Sequence, residues 1–155
     1  MPRVNRCKNE YSKTQRKRKA IAEKGFRELE RILDRAFSEY VRLRGADDKG
    51  QASCITCGAV HFWKEMDCGH FIPRARRATR YDLMNCGTQC KKCNRFRGGE
   101  HDLYEGRLIE MYGEESVKEL KQKAKLGGGY DTYLLQQMII EYRGKAKRLK
   151  LEKGL

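Results

Sequence analysis

Between Leu29 and Val41, apolar residues recur at three- and four-residue spacing (Leu29, Ile32, Leu33, Ala36, Phe37, Tyr40, Val41), while Arg27, Glu28, Arg31, Asp34 and Arg35 fall mostly on the opposite side. That period predicts a long amphipathic helix, entered from the Lys/Arg run at Lys13 and ended near Gly45. Its stripe suits packing against the rest of the chain or a dimer seam, and packing is the commoner use. Residues 1–12 show no periodicity and read as a basic arm. Gly45 to Gly50 is turn-rich and marks a boundary. Val60 to Trp63 and Phe71-Ile72 read as two strand pieces of a hairpin, with His70 near the second. A helical pattern over 103–111 is broken at Tyr112-Gly113. A second covers 114–126 with Val117, Leu120 and Ala124 on one side. After the flexible joint Gly127 to Gly129, Asp131 is placed to cap a last helix through Leu134, Leu135, Met138, Ile139 and Tyr142. The chain thus divides into arm and helix (1–45), a cysteine-rich centre (51–113) and C-terminal helices with a basic tail (114–155).

With 155 residues there is room for one modest core plus helical extensions. Lys and Arg number 35 against 21 Asp and Glu, a net charge of +14 that favours a polyanionic partner. No apolar run reaches the length of a membrane span and no signal peptide opens the chain, so an intracellular, cytoplasmic protein with reduced cysteines is expected.

The cysteines carry the strongest signal. Cys54-Ile-Thr-Cys57 and Cys90-Lys-Lys-Cys93 are two C-x-x-C pairs about thirty residues apart, the number and local spacing of a four-thiolate structural zinc site. Of the other three, Cys7 and Cys86 read as spare or buried thiols. Cys68 stays open as an alternative ligand together with His70. Between the pairs lies the chemistry that phosphodiester hydrolysis needs. His70 can accept a proton from water near neutral pH. Asp67 and Asn94 offer oxygen donors for Mg2+ or Mn2+. Asn85 can hold the His70 ring or its loop. Around them Arg74, Arg76, Arg77, Arg80, Lys91, Lys92, Arg95 and Arg97 face one local acid, Asp82, and suit phosphate contacts; Arg74 and Arg76 lead that set. His61 and His101 read as structural or loop residues.

The order Asp67-Cys-Gly-His70-Phe-Ile-Pro73-Arg74, then Asn85-Cys-x-x-Gln-Cys90-x-x-Cys93-Asn94 and Arg95-x-Arg97-Gly-Gly, resembles the HNH (ββα-metal) endonuclease motif. More narrowly it resembles the NinG (Rap) recombination proteins of lambda-like phages, over about two thirds of the chain including Tyr104 to Gly113. The resemblance implies a structure-specific endonuclease acting on D-loops and Holliday junctions in the host cytoplasm. His70 matches the base, Asn85 the middle Asn and Asn94 the metal ligand. It implies 5′-phosphate and 3′-hydroxyl products and possible recombination-protein partners. Symmetric junction cutting would suit a homodimer. One departure is Gly69, which stands where most HNH motifs carry a ligand; Asp67 is the nearest substitute. The expected fold is small α+β: a zinc-stabilised ββα core of the treble-clef kind, flanked by a long N-terminal helix and C-terminal helices. The alternatives are a non-catalytic zinc module that binds nucleic acid and a zinc-organised protein adaptor.

Overall fold

A computed structural model describes residues 15, 19–21 and 24–155. The basic arm, Cys7 and most of the Lys13 to Lys19 run lie outside the described residues. The first complete helix, α1 (Phe26–Arg44), is shorter than its periodicity predicts. Gly25 is extended (φ −71°, ψ 160°) and serves as its N-cap, so the chain is not one helix from Lys13 to Gly45. Glycine is a poor residue for a helix interior, and the apolar stripe starts only beyond it.

The stripe is used inside the chain. Leu29, Ile32, Leu33, Phe37 and Val41 of α1 join Leu135, Ile139 and Tyr142 of the last helix, α4 (Thr132–Lys153), in one buried cluster. Phe37 meets the rings of Tyr142 and Tyr81 edge-on, with centroids 4.9 Å and 5.4 Å away. Asp131 caps α4 by accepting from the Leu134 amide at 2.7 Å. The expected basic tail is helical and partly engaged. Lys150 pairs with Glu39, and Lys153 donates to the carbonyls of Leu43 and Ala46.

Four short strands form two antiparallel hairpins rather than the single expected one. β1 (Gln51–Ser53) pairs with β2 (Val60–Phe62), and β3 (Asp67–His70) pairs with β4 (Cys86–Gln89) in the register Cys68 to Thr88 and His70 to Cys86. The partner of Val60 to Phe62 is therefore β1, and Phe71-Ile72 lies just past the end of β3. The Ile55 amide donates to the Thr88 carbonyl at 2.9 Å and ties the hairpins together. Gly45 admits β4 against the end of α1, since a Cβ there would lie 2.2 Å from Thr88 Oγ1. The turn that follows is closed by Asp47, which accepts from the amides of Lys49 and Gln51. After β4 comes one wide helical turn, Lys92–Phe96, then α2 (His101–Tyr112) and α3 (Glu114–Lys125). Tyr104, Leu108, Val117 and Leu120 from these helices cover Phe71 on the other side of the β3–β4 ribbon. The architecture is α+β, a pair of two-stranded sheets between α1–α4 and α2–α3.

Candidate functional site

The two cysteine pairs converge. Cys54 follows β1 and Cys57 closes the turn before β2. Cys90 follows β4 and Cys93 lies in the wide turn, and all four Sγ atoms lie within 4.8 Å of one another. Cys57 Sγ and Cys90 Sγ are 3.8 Å apart. Tetrahedral Zn–S bonds of about 2.3 Å place sulfurs about 3.8 Å apart, so the donor set fits a zinc ion by type and spacing. Burial opposes a thiolate at Cys54, but the amides of Cys57 and Cys90 and the Thr56 hydroxyl outweigh it and bring its pKa down to about 6. Burial, with Cys57 and Cys90 as thiol neighbours, pushes Cys93 up to about 12. Together the cysteines can hold a metal such as zinc.

His70 ends β3 and is half-buried. Its Nε2 lies 3.0 Å from the Arg80 carbonyl and its Nδ1 3.3 Å from the Cys68 carbonyl. Both carbonyls only accept, so a neutral ring donates to one of them, and Nε2 makes the shorter contact. Burial and the Arg74 charge lower its pKa, outweighing the two carbonyls, so the ring is neutral at pH 7. Cys68 and Cys86 stand on the same face, and their Sγ atoms and a His70 ring nitrogen fall within 4.8 Å of one another. Sequence reading paired Cys68 with His70 as an option but left Cys86 aside. The cross-strand register that joins them has no local signal.

Asp67 and Asn94 also meet. Asn94 Nδ2 donates to Asp67 Oδ2 at 3.0 Å, and Arg95 grips both carboxylate oxygens at 2.7 Å and 2.8 Å. Burial works against the charged form of Asp67, but these hydrogen bonds, with the Arg95 and Lys91 charges, hold its pKa below the usual carboxylate range. As arranged, the pair does not offer a ready Mg2+ or Mn2+ site, because Arg95 occupies the carboxylate that such an ion would need. Arg95 is thus a partner of Asp67 rather than a free phosphate contact. Residues three apart on a strand leave opposite faces, so Asp67 and His70 point away from each other. Gly69 has a steric reason: a Cβ there would lie 2.4 Å from Gln89 Oε1 and 2.9 Å from Gln89 Cβ. Gln89 in turn donates to the Gly99 carbonyl at 2.8 Å, a link that sequence reading missed.

Asn85 is fully buried and holds the loop, not the His70 ring. Its Oδ1 accepts from the Ile72 amide at 2.7 Å, and its Nδ2 donates to the carbonyls of Ile72 at 3.0 Å and Thr79 at 2.9 Å. The Arg-rich loop faces more acid than its local sequence suggests. Arg80 makes two hydrogen bonds to Asp34 and pairs with Glu30 at 3.2 Å, Arg77 lies 3.9 Å from Glu30, and Arg97 pairs with Glu100. Arg74, Arg76, Lys91 and Lys92 are exposed. Lys91, Lys92 and Arg97 border an open groove of about 450 Å3 beside the cysteines, together with His61 and Glu65. His101 lies beside Phe71, with ring centroids 5.6 Å apart and planes tilted by 51°. Among the described residues no helix is long and apolar enough to cross a membrane.

The family described as Bacteriophage Lambda NinG protein matches residues 3–152. Protein ninG of Escherichia phage 933W is 31% identical over 87 residues, covering 56% of this chain and 41% of that protein. Protein ninG of Salmonella phage P22 is 29% identical over 116 residues, covering 74% of this chain and 54% of that protein. Protein ninG of Escherichia phage lambda is 30% identical over 87 residues, covering 56% and 40%. The chain thus spans about half the length of the curated relatives it matches. No solved structure matches it. With the family model covering nearly every residue, the chain belongs to the NinG family of bacteriophage proteins.

Proposed function

We propose that this protein is a metal-dependent endonuclease of the HNH (ββα-metal) kind, with a structural zinc on Cys54, Cys57, Cys90 and Cys93, that cuts branched DNA recombination intermediates such as D-loops and Holliday junctions in the host cytoplasm. The observation that supports it most is His70: a neutral imidazole at the end of an antiparallel hairpin, its Nε2–H tied to the Arg80 carbonyl. The cysteine-anchored turn follows that hairpin directly. A base so oriented takes a proton from water at Nδ1 while its tautomer stays fixed. Asn85 keeps loop 71–85 in the shape that brings the Arg80 carbonyl to the ring. A divalent cation would neutralise charge on the phosphate. Asp67 and Asn94 are the residues that would hold it once Arg95, whose side chain is 58% exposed, gives up its two hydrogen bonds to the carboxylate. Arg74 and Arg76 would hold the strand through phosphates.

A second reading has its own observation. Asp67 and His70 leave opposite faces of β3, and His70 groups with Cys68 and Cys86. That arrangement favours a zinc module that binds nucleic acid without cutting it. Cleavage of end-labelled D-loop, four-way junction and duplex in magnesium separates the two. The nuclease reading expects cutting of branched DNA, lost in His70→Ala while zinc content and DNA affinity persist. Intact DNA with every divalent ion, despite tight salt-sensitive binding, would leave the binding module.

A further inference from the structure

The wide turn after Cys90 presents an aromatic ring to solvent among cations. Phe96 is 82% exposed, flanked by Arg95 and Arg97, with Lys91 and Lys92 exposed on the same segment. Of the exposed large apolar side chains among the described residues, it alone is an aromatic with an arginine on each side. A solitary exposed apolar residue is ordinary on a protein surface and carries nothing by itself. Three further features set this one apart.

The turn is anchored at its base. Cys93 is buried, its amide lies 3.5 Å from Cys90 Sγ, and the Asn94 amide donates to the Cys90 carbonyl at 2.9 Å. A fixed backbone leaves the ring only its own side-chain rotations to lose on binding. The space beyond it is open: Gly98 and Gly99 follow with positive φ, and a Cβ at either would meet nothing within 4 Å. Arg95 and Arg97 are answered by Asp67 and Glu100, whereas Lys91 and Lys92 are exposed and border, with Arg97 and Glu65, the adjoining groove.

Resting on the nucleic-acid reading above, we infer that Phe96 is a stacking platform for an unpaired base, with the exposed Lys91 and Lys92 of the same segment holding the flanking phosphates. An intact duplex keeps its bases stacked on one another and offers the ring no face. A strand that leaves a duplex at a branch, gap or flap exposes one. Aromatic stacking is tolerant of base identity. The platform therefore selects DNA by its discontinuity and not by its sequence.

The test uses the full chain loaded with zinc, without magnesium, and oligonucleotides of identical sequence as intact duplex, flap and four-way junction, with 2-aminopurine at the branch. The parent is expected to bind the branched forms more tightly and to change the 2-aminopurine fluorescence. Phe96→Ala should weaken branched-DNA binding by about tenfold, abolish the fluorescence change and leave duplex affinity unaltered. Phe96→Trp should retain both. Zinc content and melting temperature of Phe96→Ala should match the parent, since the ring is outside the core. Equal losses on duplex and branched DNA would reduce Phe96 to a general surface contact and overturn the inference. So would unchanged binding by Phe96→Ala in a protein that still prefers branches. A parent that binds no DNA would instead sink the nucleic-acid reading itself, and the inference with it.

Discussion

Replacing Asn85 should unfasten loop 71–85 at a cost readable from three hydrogen bonds. The side chain is fully buried and bonds one amide and two carbonyls. At a net value of about 1 kcal/mol each, Asn85→Ala loses about 3 kcal/mol, and the orphaned Ile72 and Thr79 groups push the loss upward. For a chain of this size that is a fall of about 6–12 °C in melting temperature. Asn85→Asp is the sharper test. A carboxylate would face the Ile72 and Thr79 carbonyls, acceptor against acceptor, whereas the protonated acid can donate to one of them. Its folded-state pKa is therefore raised above the unfolded value. The folded form binds more protons in that window, so the variant loses stability as pH rises through it. Urea unfolding at fixed zinc, followed by the fluorescence of Trp63, the sole tryptophan and 3% exposed, measures both variants beside the parent from about pH 4.5 to pH 8, a range that starts near the unfolded Asp pKa of about 4. If Asn85→Ala costs less than about 1 kcal/mol, or Asn85→Asp shows the parent's pH dependence, the clasp is not what holds the loop.

Zinc removal should unfold the cysteine end of the molecule. Trp63 shares a buried cluster with Cys54, Cys90 and Cys93, so its emission should shift as a chelator strips the metal, and protons should compete for the thiolates so that zinc is lost more readily as pH falls. Asp34→Ala should cost about 1–3 kcal/mol in the same unfolding assay, because Arg80 loses two hydrogen bonds and Tyr81 its hydroxyl acceptor. Gly69→Asp, which would restore an acid at the usual HNH position, should lower stability by collision with Gln89 and bring no gain in cleavage; a faster, stable variant would refute the steric account of Gly69. Because burial and Arg74 depress the His70 pKa, any cleavage that uses it as base should hold its rate below the ordinary histidine range and fall only at lower pH, checked by a rate profile in Mg2+.

The helices and the cysteine quartet were legible because their signals are local: a 3.6-residue period, an Asp cap, two C-x-x-C turns. The strand pairing was not. β1 reads Gln-Ala-Ser and β4 reads Cys-Gly-Thr-Gln, short runs without alternating β-branched residues, so nothing in either announces a strand. They form because β2 and β3 supply their hydrogen-bonding partners, with Ile55 tying the two hairpins together. Ion pairing failed to show for a similar reason. Arg80 has only Asp82 as a local acid, yet Asp34, its partner, sits 46 positions earlier on α1. Asn85 announced itself only as a holder of something, and which backbone it holds is a property of the folded loop. The cluster of Cys68, His70 and Cys86 depends likewise on the β3–β4 register, which no spacing rule supplies.

The pairing of α1 with α4 has a consequence for how the chain is made. Glu39 and Lys150 are joined across 111 positions, and the stripe of Leu29, Leu33 and Phe37 is covered by residues near the C-terminal end. At about 5–20 residues per second, a ribosome leaves that stripe uncovered for about 5–20 seconds after it emerges. Both hairpins and all four cysteines of the candidate zinc site are synthesised within that interval. The cysteine centre can therefore close first and give α4 a formed surface on which to dock. A chain stopped before Thr132 would display the stripe permanently and should be captured by chaperones or self-associate.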